Sequence, residues 1–127
     1  MRSLFLVLAL LTAGCSDEAI SGYADREAVY RLEEIEGAAV PWQATITFPA
    51  RGQVAGQAPC NAWSAKLLVP YPWFELGPIA ATRRACLHMQ GEAEFFAALE
   101  SATLAEVAGD VLILSDDAGP ILVFRAE

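Results

Sequence analysis

The sequence Gly52-Gln53-Val54-Ala55-Gly56-Gln57-Ala58-Pro59-Cys60-Asn61 predicts a short strand that ends in a turn. Glycine and proline interrupt regular structure, so Gly52, Gly56 and Pro59 divide this stretch into short pieces. A second stretch, Ala80-Ala81-Thr82-Arg83-Arg84-Ala85-Cys86, follows closely and carries another cysteine. Neither stretch has the Cys-x-x-Cys spacing that is typical of a thiol redox pair.

Outward from these stretches, the chain reads as short strands separated by Gly and Pro. Ala44, Ile46 and Phe48 alternate with Thr45 and Thr47, which is the period of a half-buried strand. Similar apolar runs predict further strands at residues 29–35, 62–69, 74–80, 104–107, 111–114 and 121–124. The last three strands should form a meander, because the residues between them have the composition of tight turns.

One short helix is predicted before this meander, within Glu92-Ala93-Glu94-Phe95-Phe96-Ala97-Ala98-Leu99. Phe95 and Leu99 are spaced i,i+4 and share one helix face, and two acids lie in the first turn, where the helix dipole favours them. The predicted fold class is therefore mainly β with one short helix, in a small antiparallel barrel or sandwich.

The first fourteen residues have the pattern of a secretory signal peptide. Arg2 supplies the positive start, and Leu4–Leu11 is an apolar run of eight residues. A membrane-spanning helix needs about 20 apolar residues, so this run is too short to be a stable anchor. We therefore expect export with removal of residues 1–14.

A lipid anchor is predicted at Cys15, because Thr12-Ala13-Gly14-Cys15 is similar to a bacterial lipobox. The alternative is an ordinary cleaved signal peptide with an incidental cysteine. Ser16 follows the cysteine, which by analogy with bacterial lipoproteins favours the outer membrane, facing the periplasm. The polar residues 15–27 are predicted to form the lipidated N-terminus and its tether, and residues 28–127 a single domain.

The charge balance narrows the class of partner. The chain has 16 acidic and 8 basic residues and a formal net charge of -8. Such a chain repels phosphate backbones and anionic headgroups, so nucleic acid is excluded as a partner and membrane contact is expected through the lipid only. We expect a monomer whose partner is an envelope protein or a small ligand.

Cys60 and Cys86 are the two cysteines that remain if Cys15 is acylated. Thiols of an exported protein enter an oxidising compartment, so a disulfide between them is predicted, with two separate buried thiols or a redox or metal pair as alternatives. In the chain-entropy model, closing this loop stabilises the fold by about 3.5 kcal/mol.

No catalytic, metal or cofactor site is predicted. His88 is the only histidine in the chain, and no Gly-x-Ser-x-Gly elbow is present, so neither a multi-histidine metal site nor a serine nucleophile has support. Asp116 and Asp117 lie beside Gly119-Pro120, which favours a hairpin turn over a calcium site.

The aromatic segment Val69-Pro70-Tyr71-Pro72-Trp73-Phe74 is the candidate binding surface. Prolines reduce the entropy lost when Tyr71, Trp73 and Phe74 are presented to a partner. The alternative is that the segment folds back and closes one end of a barrel, with its rings in the core.

Taken in order, several motifs resemble the META domain family, also called the HslJ-like family. The resemblance covers residues 30–124, and its marks are Tyr30-Arg31-Leu32, Ile35-Glu36-Gly37, residues 44–48, 52–56, 60–61 and 79–86, a glutamate at Glu92 or Glu94, and the closing hairpin at residues 112–124. The resemblance implies a compact β-barrel-like domain with a helix, in bacterial envelope proteins linked to stress and antibiotic tolerance. It brings no catalytic residues with it.

These observations predict a non-enzymatic, lipid-anchored envelope protein that acts in envelope integrity or stress tolerance through binding. The alternative function is an inhibitor of a secreted enzyme such as lysozyme or a protease, because an acidic surface attracts a basic enzyme. A third hypothesis is a carrier that holds a small apolar ligand inside a barrel.

Overall fold

A computed structural model of the chain describes residues 18–127. The predicted signal peptide and the predicted lipidation site, Cys15, lie outside these residues. Within residues 18–127, the helical segments are too short or too polar to cross a bilayer.

The described part of the chain is built from short strands, one α-helix and one 3-10 turn. The 3-10 turn is Ile20–Gly22 and the helix α1 is Glu92–Ser101. The strands are β1 (Tyr30–Ile35), β2 (Ala38–Ala39), β3 (Thr45–Ile46), β4 (Gln53–Gln57), β5 (Ala62–Lys66), β6 (Ala80–Ala81), β7 (Leu104–Ala108), β8 (Val111–Asp116) and β9 (Gly119–Ala126).

The strands form two antiparallel sheets. The larger sheet has the order β2-β1-β9-β8-β7, with β3 also paired to β1, and the smaller sheet has the order β4-β5-β6. The fold class predicted from the sequence, mainly β with one short helix, is confirmed. The predicted meander is present as β7, β8 and β9.

The expected barrel-like closure is wrong, because the two sheets do not join into a barrel. Closure of a barrel would need continuous hydrogen-bonded ladders between neighbouring strands. Only isolated bridges are found at two such places within residues 18–127: Thr47 pairs with Ala55, and Trp73 pairs with Leu104. Proline has no backbone N–H and cannot donate to a ladder. Pro49 follows β3, and two prolines flank Tyr71, so each connection is limited to a short contact.

The core between the sheets is filled by aromatic rings around Phe95. This residue of α1 is fully buried, and its ring contacts Trp42, Trp63 and Phe124 with centroid distances of 6.4, 5.8 and 6.3 Å. Trp63 belongs to the smaller sheet and Phe124 to the larger one. The helix therefore connects the two sheets through side-chain packing.

The structure differs from the predicted tether at residues 20–24. Ile20 and Ser21 are buried, although a polar tether was expected there. The Ser21 hydroxyl accepts a hydrogen bond of 3.0 Å from the backbone N–H of Gly52. Ala24 is buried in the same core, and the Tyr23 ring stacks on Tyr71, so burial of apolar surface docks this segment onto the domain.

Two elements, β5 and α1, run between opposite ends of the domain. The first end, here called the disulfide end, comprises residues 58–61 and 82–91. The second end, here called the aromatic end, comprises Leu68 and the segment 69–74. β5 leads from Asn61 towards Leu68, while α1 starts after Gly91 and is followed by Thr103, whose carbonyl accepts a 2.8 Å hydrogen bond from Phe74 N–H.

Gly56 allows β4 and β3 to approach each other closely. A Cβ at Gly56 would overlap the carbonyl of Thr45, which also accepts a 3.2 Å hydrogen bond from the indole N–H of Trp63. We expect Gly56→Ala to lower the free energy of unfolding by about 1–3 kcal/mol, as other overpacking substitutions do. Urea denaturation of the purified domain measures this loss.

Gly77→Ala is the matched control. A Cβ at Gly77 would meet only ordinary contacts, the nearest at 3.7 Å from Leu68. Its unfolding free energy should stay within about 0.5 kcal/mol of the parent value. Equal losses in the two variants would show that strand approach at Gly56 is not the cause.

Candidate functional site

The disulfide loop, residues 82–91, connects β6 to α1 and stands out from the surface of the domain. The predicted disulfide between Cys60 and Cys86 is present, with a Cα–Cα distance of 5.9 Å. It joins the middle of the loop to the turn that precedes β5. The loop is therefore fixed covalently at one point between its two ends.

A buried carboxylate holds the base of this loop. Glu92, the first residue of α1, is only 7% exposed. Its Oε1 accepts hydrogen bonds from the backbone N–H groups of Cys60 (3.1 Å) and Asn61 (2.8 Å), and its Oε2 accepts one from Asn61 Nδ2 (2.7 Å). The N-terminus of α1 adds a favourable dipole.

The electrostatics of Glu92 favour the ionised carboxylate. Burial alone opposes ionisation, but the hydrogen bonds from Asn61 and Cys60 outweigh it and hold the pKa of Glu92 below its usual value. The helix start is therefore clamped to the turn before β5 by a charged group whose two oxygens both accept hydrogen bonds.

Asn61 extends this clamp to the loop itself. Its Oδ1 accepts hydrogen bonds from the Thr82 hydroxyl (3.0 Å) and from the Arg84 N–H (2.8 Å). The amide of Asn61 thus donates to Glu92 and accepts from the loop at the same time. The side chain of Asn61 therefore binds segments that are distant in sequence and not its own turn.

Gly91 completes the base of the loop at the helix start. Its φ of 91° lies in the left-handed region, and a Cβ there would overlap the Trp42 ring. The Trp42 ring therefore packs directly on the backbone of Gly91. The loop is therefore held at both of its ends, by the hydrogen bonds of Thr82 and Arg84 to Asn61 after β6 and by the packing of Gly91 against Trp42 before α1.

Beyond this base, the loop exposes apolar and cationic side chains. Leu87 is 98% exposed and Met89 is also exposed. Arg83, Arg84 and His88 are exposed as well. Among residues 18–127, the ion pairs found involve other arginines, namely Arg31 and Arg125. The loop therefore presents apolar anchors and positive charge on a fixed support.

The aromatic segment is divided between core and surface. Phe74 is buried, so its assignment to a binding surface is wrong. Tyr71 is half-buried, and its hydroxyl accepts a 3.1 Å hydrogen bond from Val107 N–H at the edge of β7. Trp73 is 57% exposed and remains on the surface. The backbone pairing of this segment with β7 requires Phe74 to point inwards.

No group of three His, Cys, Asp or Glu side chains within residues 18–127 is placed to hold a metal ion. His88 is exposed on the loop, whereas the carboxylate of Glu92 is buried. Both carboxylate oxygens of Glu92 accept hydrogen bonds from Cys60 and Asn61 at the base of the loop.

A groove of about 520 Å³ lies on the smaller sheet, where small side chains from its three strands meet, among them Ala55, Ser64 and Ala80. This groove opens on the outer face, since Ser64 and Ala80 are exposed. The space between the two sheets is filled by the rings around Phe95. The hypothesis of a ligand carried inside a barrel therefore loses its support.

Sequence reasoning missed the roles of Glu92 and Trp42. Glu92 has its partners 31 and 32 residues away, and no local pattern reports such a pairing. An acid at the first position of the predicted helix was the available signal, but the helix dipole explained it without burial. Trp42 had no signal beyond its hydrophobicity.

Comparisons with known proteins agree with this architecture. A sequence model of the META domain matches residues 25–127. The chain is similar to a protein from Burkholderia xenovorans solved by NMR, with 17% identity, a TM-score of 0.61 and 99% of each chain covered. Another NMR structure is similar with 18% identity and a TM-score of 0.59, over 79% of this chain and 89% of its own. At these identities the likeness shows the fold alone. No curated protein matches the chain.

The Glu92 clamp predicts a pH-dependent stability. Because the folded-state pKa lies below the ordinary value of 4.5, the carboxylate contributes stability that is present above about pH 4.5 and is lost as the pH falls through the lower folded-state value. Glu92→Gln should lower the unfolding free energy at pH 7 by about 1.5–3 kcal/mol, the range for hydrogen bonds to charged groups. Urea unfolding at a series of pH values should show the difference shrinking below about pH 4.5.

Glu94→Gln is the control for this prediction. Glu94 lies in the same first turn of α1 but is exposed, so the substitution loses only a dipole contribution of at most about 1 kcal/mol. If both variants lose the same stability at pH 7, the buried hydrogen bonds of Glu92 are not its source.

Proposed function

The chain belongs to the META domain family, which its residues 25–127 match, and we propose that it is an exported, lipid-anchored envelope protein that acts by binding. The proposal assigns the binding to the disulfide loop, residues 82–91. It includes the role in envelope integrity or stress tolerance that the family resemblance implies, and it assigns no catalytic step to the chain.

Support for export comes from two parts of the chain. The N-terminal sequence has the pattern of a signal peptide followed by Cys15. The disulfide between Cys60 and Cys86 fits a protein of an oxidising compartment, because cytosolic thiols are kept reduced. The signal-peptide pattern and the disulfide thus both favour a location outside the cytosol.

Support for binding comes from the exposure of Leu87 on a rigid support. An apolar side chain at 98% exposure gains free energy when a partner covers it. The disulfide and the Glu92 hydrogen bonds fix the loop before any partner arrives, so less conformational entropy is lost on association. This exposed, fixed loop is the observation that carries the proposal.

The charge of the loop indicates the chemistry of the partner. Arg83 and Arg84 place two positive charges in a chain whose formal net charge is -8. A complementary surface would offer an apolar pocket for Leu87 next to carboxylates, which bind guanidinium groups with two parallel hydrogen bonds.

An inhibitor of a secreted enzyme is the second candidate function, because an exposed loop held by a disulfide is suited to occupy an enzyme cleft. The purified domain should then inhibit lysozyme or a common protease at micromolar concentration. Replacing Leu87 with Asp should abolish that inhibition, because a carboxylate cannot enter the apolar pocket. Inhibition that survives the substitution would place the contact elsewhere.

Photo-crosslinking in the native host tests the binding loop. A photoreactive amino acid at position 87, in the full-length chain, should give a discrete adduct on irradiation, and Met89→Asp in the same chain should reduce its yield. Position 117, exposed in the β8–β9 turn, is the matched control and should give no adduct of that mass. The same adduct from both positions would contradict the proposal.

A separate experiment tests the lipid anchor. Mass spectrometry of the mature protein should find acyl chains on Cys15, and Cys15→Ala should move the protein from the membrane fraction to the soluble periplasmic fraction, because a single exposed loop cannot replace acyl chains as an anchor. An unmodified Cys15 in membrane-associated protein would overturn this part of the proposal.

A further inference from the structure

The exposed apolar side chains of the domain are concentrated in two places. The large hydrophobic residues exposed within residues 18–127 are Tyr23, Val29, Leu68, Trp73, Leu87 and Met89. Two of them belong to the disulfide loop. Three others, Tyr23 (55% exposed), Leu68 (56%) and Trp73 (57%), belong to the aromatic end or pack beside it. This second group has no role in the proposed function.

The N-terminal segment is attached to this same end of the domain. The carbonyl of Glu18 accepts a 2.6 Å hydrogen bond from Tyr71 N–H. The Tyr23 ring stacks on the Tyr71 ring with a centroid distance of 4.3 Å. Glu18 and Leu68 line one shallow hollow together. The start of the described chain therefore lies beside Leu68 and Tyr71, and Trp73 follows Tyr71 by two residues in the same segment.

The covalent reach from Cys15 to this end is short. Two residues, Ser16 and Asp17, lie between Cys15 and Glu18. A fully extended chain covers at most about 3.6 Å per residue, so the three steps from Cys15 to Glu18 span at most about 11 Å. The interfacial region of one leaflet is itself about 5–8 Å thick. A lipid on Cys15 would thus hold the aromatic end against the bilayer surface.

The chemistry of the three side chains suits that position. Trp and Tyr are enriched where the headgroups meet the hydrocarbon, because their rings have an apolar body and a polar edge. Pro70 and Pro72 restrict the segment that presents Trp73, so little conformational entropy is lost on contact. Glu18 and Arg51 line the same hollow beside Leu68, and Glu75 is exposed nearby, so the charges around these side chains give no preference for anionic lipid.

We propose that Tyr23, Leu68 and Trp73 form a membrane-docking face that lies in the headgroup region of the leaflet holding the lipid on Cys15. The proposal rests on the lipid anchor of the proposed function, adds an orientation to it, and replaces the expectation that the lipid alone contacts the membrane. The disulfide loop, at the other end of β5, then faces away from the membrane.

Depth-dependent fluorescence quenching tests the docking face. The acylated full-length mature protein is incorporated into phosphatidylcholine vesicles in which part of the lipid carries bromine at acyl positions near the headgroup. The chain has three tryptophans, of which Trp63 is buried and Trp42 half-buried. We expect bromine to quench the emission, and Trp73→Phe to abolish the quenching, because Trp73 alone would reach the lipid.

Two further variants make the result specific. Trp42→Phe is the matched control and should keep the quenching. Leu68→Asp should reduce it while leaving the unfolding free energy unchanged, because Leu68 is exposed and the new carboxylate opposes insertion. Acylated, vesicle-bound protein whose Trp73 emission is not quenched would overturn the docking face and leave the lipid anchor intact. Absence of acyl chains on Cys15 in cells would overturn both.

Discussion

The buried carboxylate of Glu92 is the interaction on which the organisation of the domain depends. It fixes the start of α1 to the turn before β5 through hydrogen bonds from Cys60 and Asn61. Because Asn61 also accepts hydrogen bonds from Thr82 and Arg84, one ionised group orders the helix, the smaller sheet and the loop together. Removing the carboxylate would leave three donors without acceptors, namely the N–H groups of Cys60 and Asn61 and the Asn61 side-chain amide, and unsatisfied buried donors are costly.

The position of Phe95 follows from that of Glu92. Once the first turn of α1 is clamped, the ring of Phe95, three residues later, must enter the space between the two sheets, where it meets Trp63 and Phe124. The sheets are connected by isolated bridges and not by continuous ladders, so backbone pairing alone does not hold them together. Side-chain packing around the helix therefore holds the two sheets together. The disulfide between Cys60 and Cys86 adds a covalent link at one end of the domain only.

Local signals in the sequence predicted the elements better than their assembly. The alternation at residues 44–48 and the i,i+4 spacing of Phe95 and Leu99 depend on neighbouring residues, and the structure has a strand and a helix there. Closure into a barrel depends on whether proline-containing segments pair across the fold, and periodicity does not report that. The docking of Ile20 was missed because one apolar residue in a polar stretch has no pattern. The burial of Phe74 was open because the prolines of this aromatic segment interrupt any alternation of buried and exposed residues.

The strand β5 separates the disulfide end of the domain from the aromatic end, and its length sets the distance between them. From Asn61 to Leu68 an extended chain covers about 23 Å at roughly 3.3 Å per residue. A domain held at the Leu68 end would carry the disulfide loop at a constant height above the bilayer, as a rigid spacer does. Its search for a partner would then be two-dimensional, restricted to molecules that reach this height above the bilayer. Affinity measured in free solution would understate such an encounter, because confinement raises the effective concentration.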